Sequence, residues 1–226
     1  MKSKTLHTII FISVIFCSLQ IYCKDENKSS NTEIYSSIQK LSEFIASDYF
    51  SNLTKTNDAH SLVDTIYLRA LRHMEYDQSE ALLLLTFVTL PFNEFPFEIS
   101  LLNIAFGIPL PAASDSIFIQ KNKNLPKHLF FDSRQNDFGD KDKLAHFFGN
   151  AFLANSIGFF NLSKFLGILV ELIEDVFSKG GLVDWKDITI NHLGELFGSK
   201  LDDTNNLLPS EILKIYSILF YKHSNI

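Results

Sequence analysis

Apolar residues recur every three to four positions along most of the 226-residue chain, and this spacing predicts a mainly α-helical fold. The repeat predicts one helix from residue 33 to about residue 53, with Thr32 as its cap, and a second helix from residue 58 to residue 74. A third, more apolar helix is predicted over residues 81–90 and ends at Pro91, because proline cannot continue a helix. No polar residue interrupts the apolar faces of these helices, so we interpret them as core scaffold.

A proline-rich segment in the middle of the chain and a helical repeat at its end complete the apolar pattern. Five of the six prolines lie between Pro91 and Pro126, among many phenylalanine, isoleucine and leucine residues. This composition predicts an irregular or partly extended segment, in which residues 97–106 suit a strand or one arm of a hairpin. A long apolar loop of this kind is either a lid over polar groups or a strap that completes the core. An amphipathic helix is predicted over residues 209–221.

Polar residues appear at helical spacing in the first of three apolar segments of the C-terminal half. Asp142, His146 and Asn150 are four residues apart, so a helix from residue 142 to about residue 160 presents them as one stripe. Burial makes a polar side chain costly unless it has partners. The stripe therefore indicates a place where this helix meets other polar groups.

The second segment, residues 163–177, carries two acidic residues on one face. Glu171 and Asp175 are four residues apart, and Glu171 is surrounded by isoleucine, leucine and valine. A carboxylate in such surroundings is expected to be paired, by Lys143 or His146, or to serve as a general acid or base.

The third segment combines polar residues with glycines on one face of a helix that begins near Asp184, its predicted N-cap. That face carries Asp187, Asn191, Gly194 and Gly198. The opposite face has ordinary core spacing, with Ile190, Leu193, Phe197 and Leu201. Two glycines leave room for a neighbouring helix, so close packing is expected on the polar face.

Residues 140–200 carry a resemblance to a known family. The pattern is Asp142-Lys143-x-x-His146, then Glu171 and Asp175, then Asp184-x-x-Asp187-x-x-x-Asn191-x-x-Gly194-x-x-x-Gly198. It resembles the VanZ-like family and the predicted periplasmic lipoproteins related to it. The resemblance implies a helical hairpin-like core, association with the cell envelope and, in some members, a link to glycopeptide resistance. This chain has shorter and more polar helices than the VanZ pattern and a long preceding region, so the lipoprotein branch fits better.

The N-terminus has the layout of a secretory signal peptide. Two lysines precede the apolar run from Thr8 to Leu19, and a polar stretch begins at Lys24. The apolar run is shorter than the roughly 20 residues that span a bilayer. Cys23 at the junction predicts lipid attachment, although Tyr22 occupies a position that favours a small residue, and cleavage without lipid or an uncleaved anchor are the alternatives.

These signals predict three regions and a location. Residues 1–23 are the signal peptide, residues 24–32 a polar tether, and residues 33–226 a single α-helical domain. The protein is expected to be exported, to face the periplasm and to be held at the membrane by its N-terminal lipid or signal segment. A second interpretation places residues 144–163 in the bilayer, since this run has no formal charge, but its histidine and three asparagines make lipid exposure costly.

Composition limits the chemistry. Both cysteines, Cys17 and Cys23, belong to the leader, so the exported part has no disulfide, thiol nucleophile or thiolate zinc site. The formal charge is −6, and the leader holds two lysines and no acid, which leaves −8 for the rest of the chain. Such a surface repels nucleic acid and anionic lipid headgroups, so no nucleic-acid partner is expected.

Two functions fit the polar residues. In the first, a buried His/Glu/Asp/Asn centre specifies helix packing or recognises an envelope lipid or glycan headgroup, with Asp142, Lys143, Asn150 and Asp184 as further members. In the alternative, the protein is a metal-dependent hydrolase that acts on an envelope lipid or glycan through His146, Glu171 and Asp187. The candidate ligands for a divalent metal are then His146, Glu171, Asp175, Asp187 and Asn191. No other cofactor is indicated, and the low histidine content requires a carboxylate-rich site.

Overall fold

The computed structural model describes residues 27–99, 104–156, 185–204 and 206–220. Within them the chain forms eight helices and one two-stranded antiparallel hairpin, which confirms the mainly helical fold. In chain order the elements are α1 (Asn27–Ala46), α2 (Asp48–Leu53), α3 (Ala59–His73), α4 (Gln78–Thr89), β1 (Glu94–Ile99), β2 (Ile104–Pro109), α5 (Asp115–Asn124), α6 (Lys141–Ser156), α7 (Trp185–Lys200) and α8 (Pro209–Phe220). The chain divides into two compact units between Ser36 and Ser37.

Helix α1 departs from the prediction at both ends. It begins at Asn27, so Thr32 lies within the helix and is not its cap. Residues 27–32 contain no glycine or proline that would stop a helix, which explains the earlier start. At the other end, Ser47 has an extended backbone, and its hydroxyl oxygen accepts a hydrogen bond from the Phe50 N–H at 3.2 Å. This N-cap starts a separate helix, so the predicted 33–53 helix is in fact two.

The other N-terminal helices agree with the apolar repeat. Asp58 caps α3 by accepting the Ser61 N–H at 3.0 Å, and Asp77 caps α4 by accepting the Glu80 N–H at 2.9 Å. Helix α4 ends before Pro91, and most of its side chains are buried.

Helices α4, α6, α7 and α8 form the centre of the second unit. Helix α6 packs between α4 and α7, while α8 contacts α7 and α3. Aromatic side chains fill the space between them: the Phe197 ring centroid lies 5.4 Å from those of both Tyr67 and Phe147, and Phe147 lies 5.3 Å from Phe148. The predicted core face of α7 is buried at Ile190, Leu193 and Phe197, and Leu201, directly after the helix, is buried as well. Many of the abundant phenylalanines thus form a bulky core beside α6 and α7.

The proline-rich segment contains a hairpin and a helix. Strands β1 and β2 pair in antiparallel register, with Phe97 opposite Phe106, which is the hairpin suggested by the sequence. The prediction missed α5, because its sequence DSIFIQKNKN is too polar to show an apolar repeat.

Side chains of α5 bind carbonyl groups at the ends of other helices. Lys121 Nζ donates to the Leu90 carbonyl at 2.6 Å, and Asn122 Nδ2 donates to the Pro91 carbonyl at 3.1 Å, just after α4. Asn124 Nδ2 donates to the Ile45 carbonyl at 2.8 Å, in the last turn of α1. The Ile45 carbonyl is among the last of α1, which have no partner within the helix, and the Leu90 and Pro91 carbonyls directly follow α4. By binding them, α5 acts as a strap that completes the core.

Replacing Lys121 with methionine is expected to remove a pH dependence of stability. Only 1% of Lys121 is exposed, and burial, reinforced by the charge of Lys141, lowers the Lys121 pKa to about 7. The unfolded chain keeps the ordinary lysine pKa and binds more protons between about pH 7 and pH 10, so the free energy of unfolding rises with pH by up to about 1.4 kcal/mol per unit. Urea unfolding at pH 7, 8 and 9 should show this rise in the wild type relative to Lys121→Met. Lys123→Met, at an exposed position of the same helix, is the control and should keep the wild-type slope. Parallel profiles of the wild type and Lys121→Met would refute the assignment.

Among the described helices, none combines the length and the apolar character needed to cross a membrane. Of the 144–163 run considered for the bilayer, residues 144–156 belong to α6 and the remainder lies outside the described residues.

Candidate functional site

The structure brings together the predicted polar residues of the first and third segments. We call six of them, from the facing sides of α6 and α7, the polar centre: Asp142, Lys143, His146, Asn150, Asp187 and Asn191. The other predicted members, Glu171, Asp175 and Asp184, lie outside the described residues, as does Cys23. Their predicted roles stay predictions.

Two glycines let α6 and α7 approach until their backbones touch. A Cβ at Gly194 would overlap the carbonyl of Phe147, and a Cβ at Gly198 would overlap the carbonyl of Ala151. Both pairs are four residues apart on each helix, so the two backbones run side by side over a full turn. Such an approach requires glycine at both positions and shortens the distance between the polar stripes.

Lys143 connects the two helices electrostatically. Its Nζ lies 2.8 Å from Asp142 Oδ2 on α6 and 2.5 Å from Asp187 Oδ1 on α7. The lysine side chain is 9% exposed and each carboxylate is 27% exposed. Burial lowers the pKa of Lys143, but the hydrogen bonds and negative charges of the two acids outweigh it, so the pKa lies above the ordinary lysine value. The ammonium group is therefore charged at all physiological pH values.

A chain of hydrogen bonds continues from this ion pair. His146 Nδ1 lies 3.2 Å from Asn191 Oδ1, and Asn150 Nδ2 donates to the same oxygen at 2.9 Å and to the His146 carbonyl at 2.8 Å. An amide oxygen only accepts, so His146 donates through Nδ1 in this arrangement. His146 Nε2 is 4.0 Å from Asp187 Oδ1, beyond hydrogen-bond distance.

The polar centre fits a metal ion poorly. Within the described parts of the chain, no three histidine, cysteine, aspartate or glutamate side chains converge as a metal site would require. Of the candidate ligands, His146, Asp187 and Asn191 are neighbours, but the Lys143 ammonium already lies 2.5 Å from the Asp187 carboxylate. A divalent cation bound there would face this positive charge at close range. The Asn191 oxygen is likewise occupied by the Asn150 amide.

A second charged cluster, which sequence reasoning missed, lies beside the start of α7. Lys186 Nζ is 2.8 Å from Asp132 Oδ1 and 2.9 Å from Asp140 Oδ1, and it lies 4.9 Å from the centre of the Phe130 ring. Tyr216 of α8 donates to Asp132 Oδ2 at 2.8 Å. The cluster therefore ties the loop before α6 to α7 and α8.

Asp140 is the buried member of this cluster. Only 2% of the residue is exposed, and its Oδ2 accepts hydrogen bonds from the Leu129 N–H and from the Ser133 hydroxyl. Burial raises the pKa of Asp132, but hydrogen bonds from Lys186 and Tyr216 and the charge of Lys186 lower it by more, so the pKa lies below its ordinary value. The acids lie in a loop without periodic spacing, so the sequence carried no signal that they would meet Lys186.

Comparisons of the chain with family models, with curated proteins and with solved structures gave no match. The resemblance to the VanZ-like family and its lipoprotein relatives therefore stays a prediction from the sequence.

Proposed function

We propose that the protein is an exported, lipid-anchored component of the cell envelope that works as a binding or structural module built on the polar centre. The observation that carries the proposal is the position of Lys143, whose ammonium group bridges a carboxylate of α6 and a carboxylate of α7. The polar groups of the centre are bound chiefly to one another, which is the arrangement of a network that orders two helices.

The network supports a role in setting the register of α6 against α7. Lys143 with Asp187 and Asn150 with Asn191 are separate cross-helix pairs, and both close at the register that places Gly194 and Gly198 against α6. A shift of one turn would separate both pairs and place side chains where the glycines now lie. Buried polar pairs have this specifying effect in other helix assemblies.

One group of the polar centre is open to a ligand. The His146 side chain is 35% exposed, whereas Asp142 Oδ1 is shielded from solvent and has no hydrogen-bond partner among the described residues. A hydroxyl of an envelope lipid or glycan headgroup would donate to His146 Nε2, which accepts when Nδ1 alone carries the proton. Metal-dependent hydrolysis is the less favoured function, because the lysine occupies the place beside Asp187.

The N-terminal sequence supports export and lipid attachment. Inhibiting the lipoprotein signal peptidase is expected to leave a precursor that is heavier than the processed protein, because the leader before Cys23 is retained. Mass spectrometry of the full-length protein from treated and untreated cells measures the difference.

The matched control is Cys23→Ser, which removes the acceptor for the lipid. Its mass should not respond to the inhibitor, and it should not incorporate labelled fatty acid. An unchanged mass of the wild-type protein under inhibition would remove the lipid anchor from the proposal.

A further inference from the structure

A cavity of about 440 Å³ opens between the end of α1, the start of α2 and the outer side of α3. Its volume lies in the range of small-molecule sites. All of its lining residues belong to the second unit, and none belongs to the polar centre. They are Lys40, Leu41, Glu43, Phe44, Ser47, Tyr49, Arg69 and His73.

Three basic side chains converge on this cavity in a protein that is acidic overall. Within the described residues, no carboxylate lies within 4.0 Å of the charged groups of Lys40 or Arg69. Lys40, Arg69 and His73 line the same cavity. Burial lowers the pKa of His73, and the positive charges of Lys40 and Arg69 lower it further. Unpaired cations gathered around a concavity attract an anion.

The single acidic residue of the lining is engaged by a neighbour. Glu43 Oε1 accepts a hydrogen bond from Gln39 Nε2 at 2.7 Å, on the same face of α1. The two permanent cations therefore outnumber the one carboxylate, and an anionic ligand would complete the charge balance.

Aromatic rings form the other part of the wall. The Arg69 guanidinium carbon lies 5.1 Å from the centre of the Phe44 ring, and the Tyr49 ring centroid is 6.2 Å from that of Phe44. The cation and the rings hold each other in place, since a guanidinium group is attracted to an aromatic face. The Ser47 hydroxyl is already bonded to Phe44 and Phe50, so it contributes shape to the cavity.

We propose that this cavity binds a small phosphomonoester whose phosphate is held by Arg69 and Lys40 and whose apolar or aromatic part packs on Phe44 and Tyr49. A phosphomonoester carries about −1.5 to −2 charges at neutral pH, so it is attracted to a lining in which two cations outnumber one carboxylate. The planar guanidinium group matches the geometry of two phosphate oxygens. This inference goes beyond the proposed function and is independent of the polar centre.

The phosphate group that this cavity binds could belong to either of two kinds of molecule, a free metabolite or a lipid headgroup. The formal charge of −8 outside the leader opposes approach to an anionic membrane, so the free phosphomonoester is the expected ligand.

The test is isothermal titration calorimetry of the purified full chain with phenyl phosphate in a phosphate-free buffer. Saturable binding that weakens with added salt is expected. Arg69→Gln should weaken it at least tenfold, while Arg72→Gln, the same charge change at an exposed position of α3 outside the cavity, should leave it unchanged. Phenol, which lacks the phosphate, should not bind.

A spectroscopic readout separates ligand contact from a structural effect. Bound phosphate should raise the pKa of the His73 imidazole, followed by NMR of its ring protons, because the anion offsets the charges of Lys40 and Arg69. If Arg69→Gln lowers the melting temperature, Lys40→Gln, at an exposed position, provides the second variant and should show the same loss of binding.

Vesicles distinguish the two sources. The vesicle experiment uses the Cys23→Ser full chain, which lacks the proposed lipid acceptor. Its recruitment to phosphatidylcholine vesicles containing phosphatidic acid that depends on Arg69 but not on Arg72 would assign the phosphate to a lipid headgroup, and phenyl phosphate binding without recruitment would assign it to a free ligand. Absence of saturable binding to both, or equal losses in Arg69→Gln and Arg72→Gln, would overturn the proposal.

Discussion

Replacing Lys143 with methionine is expected to lower the free energy of unfolding by about 3 kcal/mol. The substitution keeps most of the side-chain volume but removes the charge that lies 2.8 Å from Asp142 and 2.5 Å from Asp187. The two carboxylates, one on each helix, would then lie in a largely buried contact without a counter-charge. The cost is placed at the low end of values for broken buried pairs because both carboxylates are partly exposed.

Urea unfolding followed by circular dichroism measures this loss, and a surface pair supplies the control. Lys200 Nζ lies 3.7 Å from Asp203 Oδ2, with both side chains more than half exposed, so Lys200→Met should change stability by less than about 1 kcal/mol. Equal effects of the two substitutions would show that Lys143 acts as an ordinary surface charge.

Replacing Gly194 with alanine is expected to destabilise the protein by about 3 kcal/mol, because the added methyl group overlaps the carbonyl of Phe147 and forces α6 and α7 apart. Separation of the helices would also lengthen the contacts of the polar centre. Gly198→Ala is expected to act in the same way through the carbonyl of Ala151.

Gly149→Ala is the matched control, since it adds the same methyl group to a buried glycine of α6. The nearest atom to a Cβ at this position is Thr86 Cγ2 at 3.5 Å, an ordinary contact. Alanine has the higher helix propensity by about 1 kcal/mol, so this variant should be as stable as the wild type or slightly more stable. Denaturant midpoints of the three alanine variants test the contrast, and a loss at Gly149 equal to that at Gly194 would rule out the close helix contact as the cause.

Much of the helical fold was predictable because the apolar repeat reports burial directly. Helices α3, α4, α6, α7 and α8 each have a one-sided or continuous apolar pattern, and the stop at Pro91 is a local signal. The polar stripe of Asp142, His146 and Asn150 was also predictable, because residues four positions apart lie on the same face of a helix.

The features that sequence reasoning missed depend on contacts between distant parts of the chain. Helix α5 has almost no apolar face. It is held by side chains such as Lys121, which binds the Leu90 carbonyl after α4, and Asn124, which binds the Ile45 carbonyl at the end of α1. The Lys186 cluster joins residues more than 40 positions apart, with no repeat to reveal it. Sequence reasoning could not determine which acid Lys143 would bind on the opposite helix, because the pairing depends on the register of α6 against α7.

A double-mutant cycle on Lys143 and Asp187 tests most directly whether the polar centre works as one network between α6 and α7. The free energies of unfolding of Lys143→Met, Asp187→Asn and the double variant are compared with the wild type. We expect a coupling energy of at least about 1.5 kcal/mol. Either substitution alone already breaks the ion pair between Lys143 and Asp187, so the second substitution costs less in the double variant than in the wild type. Losses that add to within about 0.5 kcal/mol would contradict the account.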